Sequence, residues 1–275
     1  MRLAMSLLGS VVAGAGLFAQ TATLKLDPVE RQMPAYIQER LNAKDRVLFD
    51  KLMRVGIESA WSLVTAEGYP QNFINELTQV KPHYRMVGRA RTMRYLPNRK
   101  DVRAKLYAAG PQLNYKSAEE AQPGDILVFD AGGETRAGVS GGVTTIRFLV
   151  RGGAGMVIDG AMRDVPELEA MPMQTYMRRG HASSVSPIMM SVDYQVPVRI
   201  GSVTVIPGDI LVGDTTGILV IPADIVEKVA DTALEHDEQE EFQRNLLLKG
   251  ESIYDVYPMN AATRKRYEEY RKNKR

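Results

Sequence analysis

The chain has 275 residues, 44% hydrophobic and 25% charged, an ordinary globular balance that fills one sizeable core or one domain with appendages. A formal net charge of +2 implies no strong polyelectrolyte partner, so no nucleic acid is expected. The absence of cysteine excludes disulfides, thiolate metal ligands and a cysteine nucleophile.

Met1-Arg2 gives a positive start, residues 3–19 are apolar and uncharged, and Gln20-Thr21-Ala22 follows. This pattern predicts a secretory signal cleaved near Ala19 and an exported, periplasmic protein with no stable membrane insertion afterwards. An uncleaved anchor is the rival reading, and the apolar run is short for a spanning helix. Residues 20–35, with Pro28 and Pro34, read as an extended lead-in.

Between residues 36 and 63 the apolar positions Ile37, Leu41, Leu48, Leu52, Val55 and Trp61 recur at helical spacing and predict two helices. Residues 86–94 alternate like a strand, and 101–109 read as a helix. Pro123-Gly124-Asp125 predicts a turn into a short buried strand over 126–130. A helix is expected over 141–150 after Gly141-Gly142, and a buried strand over 155–159 that ends in an Asp159-Gly160 turn. Residues 198–205, 210–212 and 218–221 read as strands, and 224–249 as a long helix. The tail from Arg264 is basic but carries Glu268 and Glu269, which favours a solvated helical end over a nucleic-acid or membrane contact. Mixed strands and helices without strict alternation predict a layered α/β domain around a β core.

Arg163 and Asp164 stand side by side just beyond the strand at 155–159. An arginine can clamp a carboxylate, and an aspartate can hold a divalent ion. Asp164-Val165-Pro166-Glu167 also has the form of a helix cap, with proline in the first turn and glutamate three residues on. Both roles for Asp164 fit the local sequence. No lysine occurs between Ser117 and Glu227, so this region supplies no Schiff-base nucleophile and favours a metal-stabilised enolate. His83, His181 and His236 are far apart and read as surface or packing residues. Ser140 lacks the Gly-x-Ser-x-Gly elbow, and Gly132-Gly133 and Gly152-Gly153 lack a dinucleotide fingerprint.

Gly124-Asp125, Gly132-Gly133, Gly141-Gly142, the run Asp159-Gly160-Ala161-Met162-Arg163-Asp164, and Pro207-Gly208-Asp209 with Asp214-Thr215-Thr216-Gly217 together resemble the RraA-like family. That family includes the class II 4-hydroxy-4-methyl-2-oxoglutarate / 4-carboxy-4-hydroxy-2-oxoadipate aldolases. The resemblance covers about residues 50 to 258 and sets an expected domain at 36–258, followed by a basic tail at 259–275. It implies an RraA-like α/β/β sandwich of the swivelling β/β/α type, with N-terminal helices and a long C-terminal helix. It also implies a homotrimer or hexamer with sites between subunits.

By the same resemblance, Asp164 would hold Mg²⁺ or Mn²⁺, and Arg163 would meet the carboxylate or keto oxygen of a small 2-keto acid. Gly141, Gly142, Val143 and Thr144 would bind the pyruvyl carboxylate through backbone amides, and Asp159, the third catalytic residue with Arg163 and Asp164, would brace the turn. Glu240, from a neighbouring subunit, would join the ion's water shell. The implied activity is aldol cleavage with oxaloacetate decarboxylation as a companion. Two alternatives stand beside it, a non-catalytic binding or regulatory protein and a lyase for another hydroxylated acid.

Overall fold

A computed structural model describes residues 33–82 and 84–274. The expected signal segment, most of the lead-in and His83 lie outside the described residues. The chain divides into two compact units, one spanning Glu30–Asp237 and one containing Glu238–Arg275. The division falls within the long helix Val226–Leu248.

The first unit opens with α1 (Ala35–Gln38), α2 (Ala43–Arg54) and α3 (Ile57–Ala66). Asn42 starts α2 by accepting the Asp45 amide at 2.9 Å, which satisfies one orphan donor of the first turn. Short strands β1 (Phe73–Ile74) and β2 (Thr78–Gln79) lead to β3 (Met86–Pro97). Then come α4 (Lys100–Ala109), α5 (Leu113–Glu119), β4 (Asp125–Gly138), α6 (Gly142–Val150), β5 (Gly155–Met162) and α7 (Val165–Ala170). The unit continues through β6 (Gln174–Gly180), β7 (Met189–Tyr194), β8 (Val198–Ile200), β9 (Val203–Val205), β10 (Ile210–Asp214) and β11 (Gly217–Ile221) into α8 (Val226–Leu248).

Nine strands form one sheet in the order β1-β11-β10-β3-β4-β5-β6-β2, with β7 added to the outer part of β3. The centre, β3 to β6, is parallel, and the flanking strands are antiparallel. Strands buried on both faces are near-continuous apolar runs, and β5, apolar but for Asp159, is buried along its whole length. Successive side chains alternate between two cores. Ile126, Val128 and Val157 enter one with α2, α3, the start of α8 and the β8–β9 ribbon. Leu127, Phe129, Met156 and Ile158 enter the other with Phe148 of α6 and Leu168 of α7. The mixed α/β class, the N-terminal helices and the long C-terminal helix agree with expectation.

Two local expectations are corrected. The Asp159-Gly160 pair is not a turn, because β5 runs on to Met162. Gly160 instead admits the neighbouring strand, since a Cβ there would lie 2.9 Å from Ala131 Cβ and 3.0 Å from the Glu134 carbonyl. The short strand expected at 126–130 is a longer β4 that leaves register with β5 after Asp130 and meets it again, in shifted register, at Glu134 and Gly138.

The second unit contains the end of α8, α9 (Ile253–Val256) and α10 (Ala261–Lys274) around Phe242, Leu246, Val256 and Tyr267. The basic tail is the helix α10, and it has acidic partners. Arg266 grips Glu251 through two bonds of 2.7 and 2.8 Å, and Lys274 lies 3.5 Å from Glu238. Among the described residues no helix is long and apolar enough to cross a membrane.

Candidate active site

Parallel strands β4 and β5 end side by side, and each passes into a helix. The Val139 amide donates to the Ala161 carbonyl at 2.9 Å, and the Arg163 amide donates to the Ser140 carbonyl at 3.0 Å. These bonds lay residues 139–141 along the end of β5. They place the first turn of α6 beside Arg163 and Asp164, at the carboxyl ends of parallel strands.

Asp164 occupies the N-cap position of α7 with φ 55° and ψ 41°, yet its side chain makes no capping bond. A side-chain cap uses extended backbone, and the left-handed backbone of Asp164 does not supply it. Its Oδ2 instead accepts the Gly142 amide, 2.8 Å away at the start of α6. The capping alternative is therefore overturned for the side chain. Left-handed backbone at a residue other than glycine costs on the order of 1 kcal/mol, and such strain gathers at functional positions.

Glycines make this approach possible. A Cβ on Gly141 would lie 2.6 Å from Asp164 Oδ2, and one on Gly138 would lie 2.8 Å from the Arg163 amide nitrogen. A Cβ on Gly142 would lie 1.9 Å from Glu167 Oε2. Glu167 therefore stands over the same helix start as Asp164. In the sequence its spacing of three residues from Asp164 matches a capping box, and the same spacing is the signal for a second carboxylate at the site.

The first bond within the α6 register runs from the Thr145 amide to the Gly141 carbonyl. Of the three preceding amides, Gly142 serves Asp164, and those of Val143 and Thr144 have no hydrogen-bond partner among the described residues. A helix start with two open amides favours an anion. The Arg163 guanidinium is 4.0 Å from Asp164 Oδ2, beyond hydrogen-bond distance, and is partly exposed. Ser140 is buried, and its hydroxyl has no partner among the described residues. Gly141, Gly142, Val143, Thr144, Arg163 and Asp164 are thus brought together as expected, with Gly138, Ser140 and Glu167 added.

Asp159 is placed differently. It is buried, with Oδ1 bonded by Arg178 Nε and Oδ2 accepting the Gly201 amide at 3.0 Å. Both oxygens are committed to fixing neighbouring segments. Glu240 belongs to the second unit, 3.7 Å from Arg244 in the same helix. His181 is exposed, and its Nδ1 accepts the Ser183 amide at 3.0 Å.

Comparison with known proteins identifies the family. The RraA-like model, described as Aldolase/RraA, matches residues 57–220. The crystal structure of Streptomyces coelicolor RraAS2, described as an unusual member of the RNase ES inhibitor RraA protein family, is 30% identical with a TM-score of 0.65. It aligns over 74% of this chain and 98% of its own. A 4-hydroxy-4-methyl-2-oxoglutarate aldolase of Thermus thermophilus is 30% identical over 138 residues, 50% of this chain and 76% of the relative. A Halalkalibacterium halodurans relative, provisionally named as the same aldolase, is 35% identical over 118 residues, 43% of this chain and 56% of the relative. The match thus spans little more than half of that relative, and it covers 59% of a Methanocaldococcus jannaschii relative. The matched region contains the parallel strands, Gly142, Arg163 and Asp164, and the chain belongs to the RraA-like family.

Proposed function

We propose that the chain is a divalent-metal-dependent carbon–carbon lyase that cleaves or decarboxylates a small 2-keto acid and releases pyruvate. One observation carries this reading: the Asp164 carboxylate is drawn off its own helix to the start of α6, next to an arginine that is not consumed. The Thermus thermophilus relative's name supports the same chemistry.

The residues fit Mg²⁺ or Mn²⁺. Asp164 commits Oδ2 to the Gly142 amide and keeps Oδ1 open, Glu167 Oε2 is close by, and the buried Ser140 hydroxyl lacks a partner among the described residues. Magnesium takes one or two carboxylates and retains water, so a sparse protein shell suits it. Asp164 would hold the ion, with Glu167 beside it. When bound, the ion supplies positive charge where negative charge develops on the 2-keto oxygen.

The chain's own groups do the remaining work. The open amides of Val143 and Thr144 take the pyruvyl carboxylate, as a helix start does for anions. Arg163 orients the substrate through its planar fork. Glu167, exposed at the rim, holds and returns a proton through solvent. The preferred substrate is of the 4-hydroxy-4-methyl-2-oxoglutarate type, with oxaloacetate decarboxylation alongside.

A homotrimeric or hexameric assembly is part of the proposal. Val143, Ile146 and Val150 form one apolar stripe along α6 and are 85%, 48% and 54% exposed. Covering that stripe with a second copy would bring a neighbour to the rim of the site. Val143→Glu with Ile146→Glu should lower the mass found by light scattering; an unchanged mass would remove this support.

The deciding experiment measures pyruvate from oxaloacetate and from 4-hydroxy-4-methyl-2-oxoglutarate, with Mg²⁺ or with EDTA. Metal-dependent release that disappears in Asp164→Ala and Arg163→Ala is expected. The description of the Streptomyces relative supports a second, non-catalytic reading. Absence of release from both compounds would favour it over the lyase.

A further inference from the structure

A second cleft, of about 640 Å³, opens between the outer ends of β3 and β7 and the part of β4 that departs from β5. None of residues 138–142 or 163–167 lines it, so it is separate from the Arg163–Asp164 site.

The wall is a fixed turn. Gly132 and Gly133 carry φ values of 61° and 78°, conformations that suit glycine. Asp130 holds the turn with Oδ1, which accepts the Gly132 amide at 3.0 Å. Its Oδ2 accepts the Arg199 amide at 3.1 Å and so ties β8 to the same wall.

The charges do not cancel in use. Both oxygens of Asp130 serve internal donors. The other acid, Glu134, lies in the fork of Arg136, whose Nε and terminal nitrogen donate at 3.0 and 2.6 Å. That pairing holds the Glu134 carboxyl down to about 2, so it stays ionised and engaged. Arg94 donates to the Pro197 carbonyl and lies 3.5 Å from Asp193. The Arg199 guanidinium is exposed and has no hydrogen-bond or ionic partner among the described residues. The exposed apolar part of the lining is Leu96 and Pro97, while Tyr95, Ala131 and Met189 are buried behind it.

We propose that this cleft binds a small organic carboxylate, with the carboxylate on Arg199 and the hydrocarbon against Leu96 and Pro97. A guanidinium fork matches a carboxylate in two places. The volume falls in the range of small-molecule sites, which are largely apolar with a few convergent polar groups. Neither acid of the wall bonds the Arg199 guanidinium, and the exposed Leu96 and Pro97 favour an organic anion over an inorganic one.

Titration calorimetry of the full chain in EDTA, with succinate as the probe, tests this. Succinate has no 2-keto group, and EDTA silences the proposed metal site, so the outcome is independent of lyase activity. Saturable binding that weakens about tenfold or more in Arg199→Gln is expected, since a charge-assisted pair is lost. The same binding should persist in Asp164→Asn. Arg199→Lys, which keeps the charge but not the fork, provides the comparison should Arg199→Gln melt early. No saturable binding by the wild type, equal binding by the Arg199 variant, or loss of binding in Asp164→Asn would each overturn the proposal. Inorganic phosphate binding as tightly as succinate would overturn the organic-acid assignment.

Discussion

The Asp164 carboxylate accepts a hydrogen bond from the Gly142 amide at 2.8 Å, joining the end of one parallel strand to the helix that follows its neighbour. The bond takes Asp164 away from the helix it precedes and fixes a carboxylate beside two open amides and an arginine. An anion-seeking helix start and an acid that can hold a cation are thereby set side by side.

Asp164→Asn should separate charge from architecture. Asparagine tolerates left-handed backbone and keeps an oxygen for the Gly142 amide, so stability should change by less than about 1 kcal/mol. Pyruvate release should nonetheless fall by about 100-fold or more, because the ion loses its carboxylate. Asp164→Ala loses the acceptor as well and should destabilise by about 1–2 kcal/mol. Melting curves and steady-state rates check both; an active Asp164→Asn enzyme would sink the metal role.

Gly138→Ala and Gly142→Ala should differ in kind. The Cβ at Gly138 meets the Arg163 backbone, which cannot swing aside, so about 2 kcal/mol of stability should be lost. The Cβ at Gly142 meets only the end of the exposed Glu167 side chain. That residue can rotate, so Gly142→Ala should melt near wild type while turnover drops. Equal melting of the two variants would show that the close approach at Gly138 relaxes.

Asp159 should behave as a brace. Asp159→Ala leaves the Arg178 guanidinium and the Gly201 amide without their acceptor and should cost about 2–4 kcal/mol. Activity per folded molecule should stay within about tenfold of wild type, a far smaller loss than at Asp164. A rate loss equal to that of Asp164→Ala, in protein that melts normally, would restore Asp159 to the chemistry.

Asp209 carries a pH signature. Burial raises its pKa above the ordinary aspartate value, although the Ile206 amide at 2.8 Å opposes the shift. Below about pH 3.8 both the folded and unfolded forms are protonated, and the group contributes nothing. As pH rises through that value the unfolded chain ionises first, so the folded state loses stability until Asp209 itself ionises. Asp209→Asn keeps an acceptor for Ile206 and should therefore melt higher than wild type at pH 7. That advantage should vanish at pH 3.5; an advantage that persists there would point to another cause.

Much of the architecture was legible because burial imposes periodicity. The apolar spacing of 36–63 appears as α2 and α3, and the uninterrupted apolar run before Asp159 appears as a strand covered on both faces. The sequence predicts no strand at β6 or β7, because Gln174 and Thr175 are buried polar residues and β7 joins only the outer end of β3. At the site, Arg163, Asp164 and Gly142 were legible from residue type and family pattern. Glu167 was read as a cap because a cap and a second carboxylate share one spacing.

The sequence by itself determined the absence of thiol chemistry, the α/β class and the candidate residues Arg163, Asp164 and Gly142, since these follow from side-chain chemistry, local period and family pattern. Only the tertiary structure decided what Asp164 and Asp159 do. One residue's backbone is left-handed and its oxygen reaches a helix start distant in sequence; the other is sealed between Arg178 and Gly201. Those outcomes depend on which strands lie side by side, and local patterns of charge and spacing carry no information about partners that the fold brings from elsewhere.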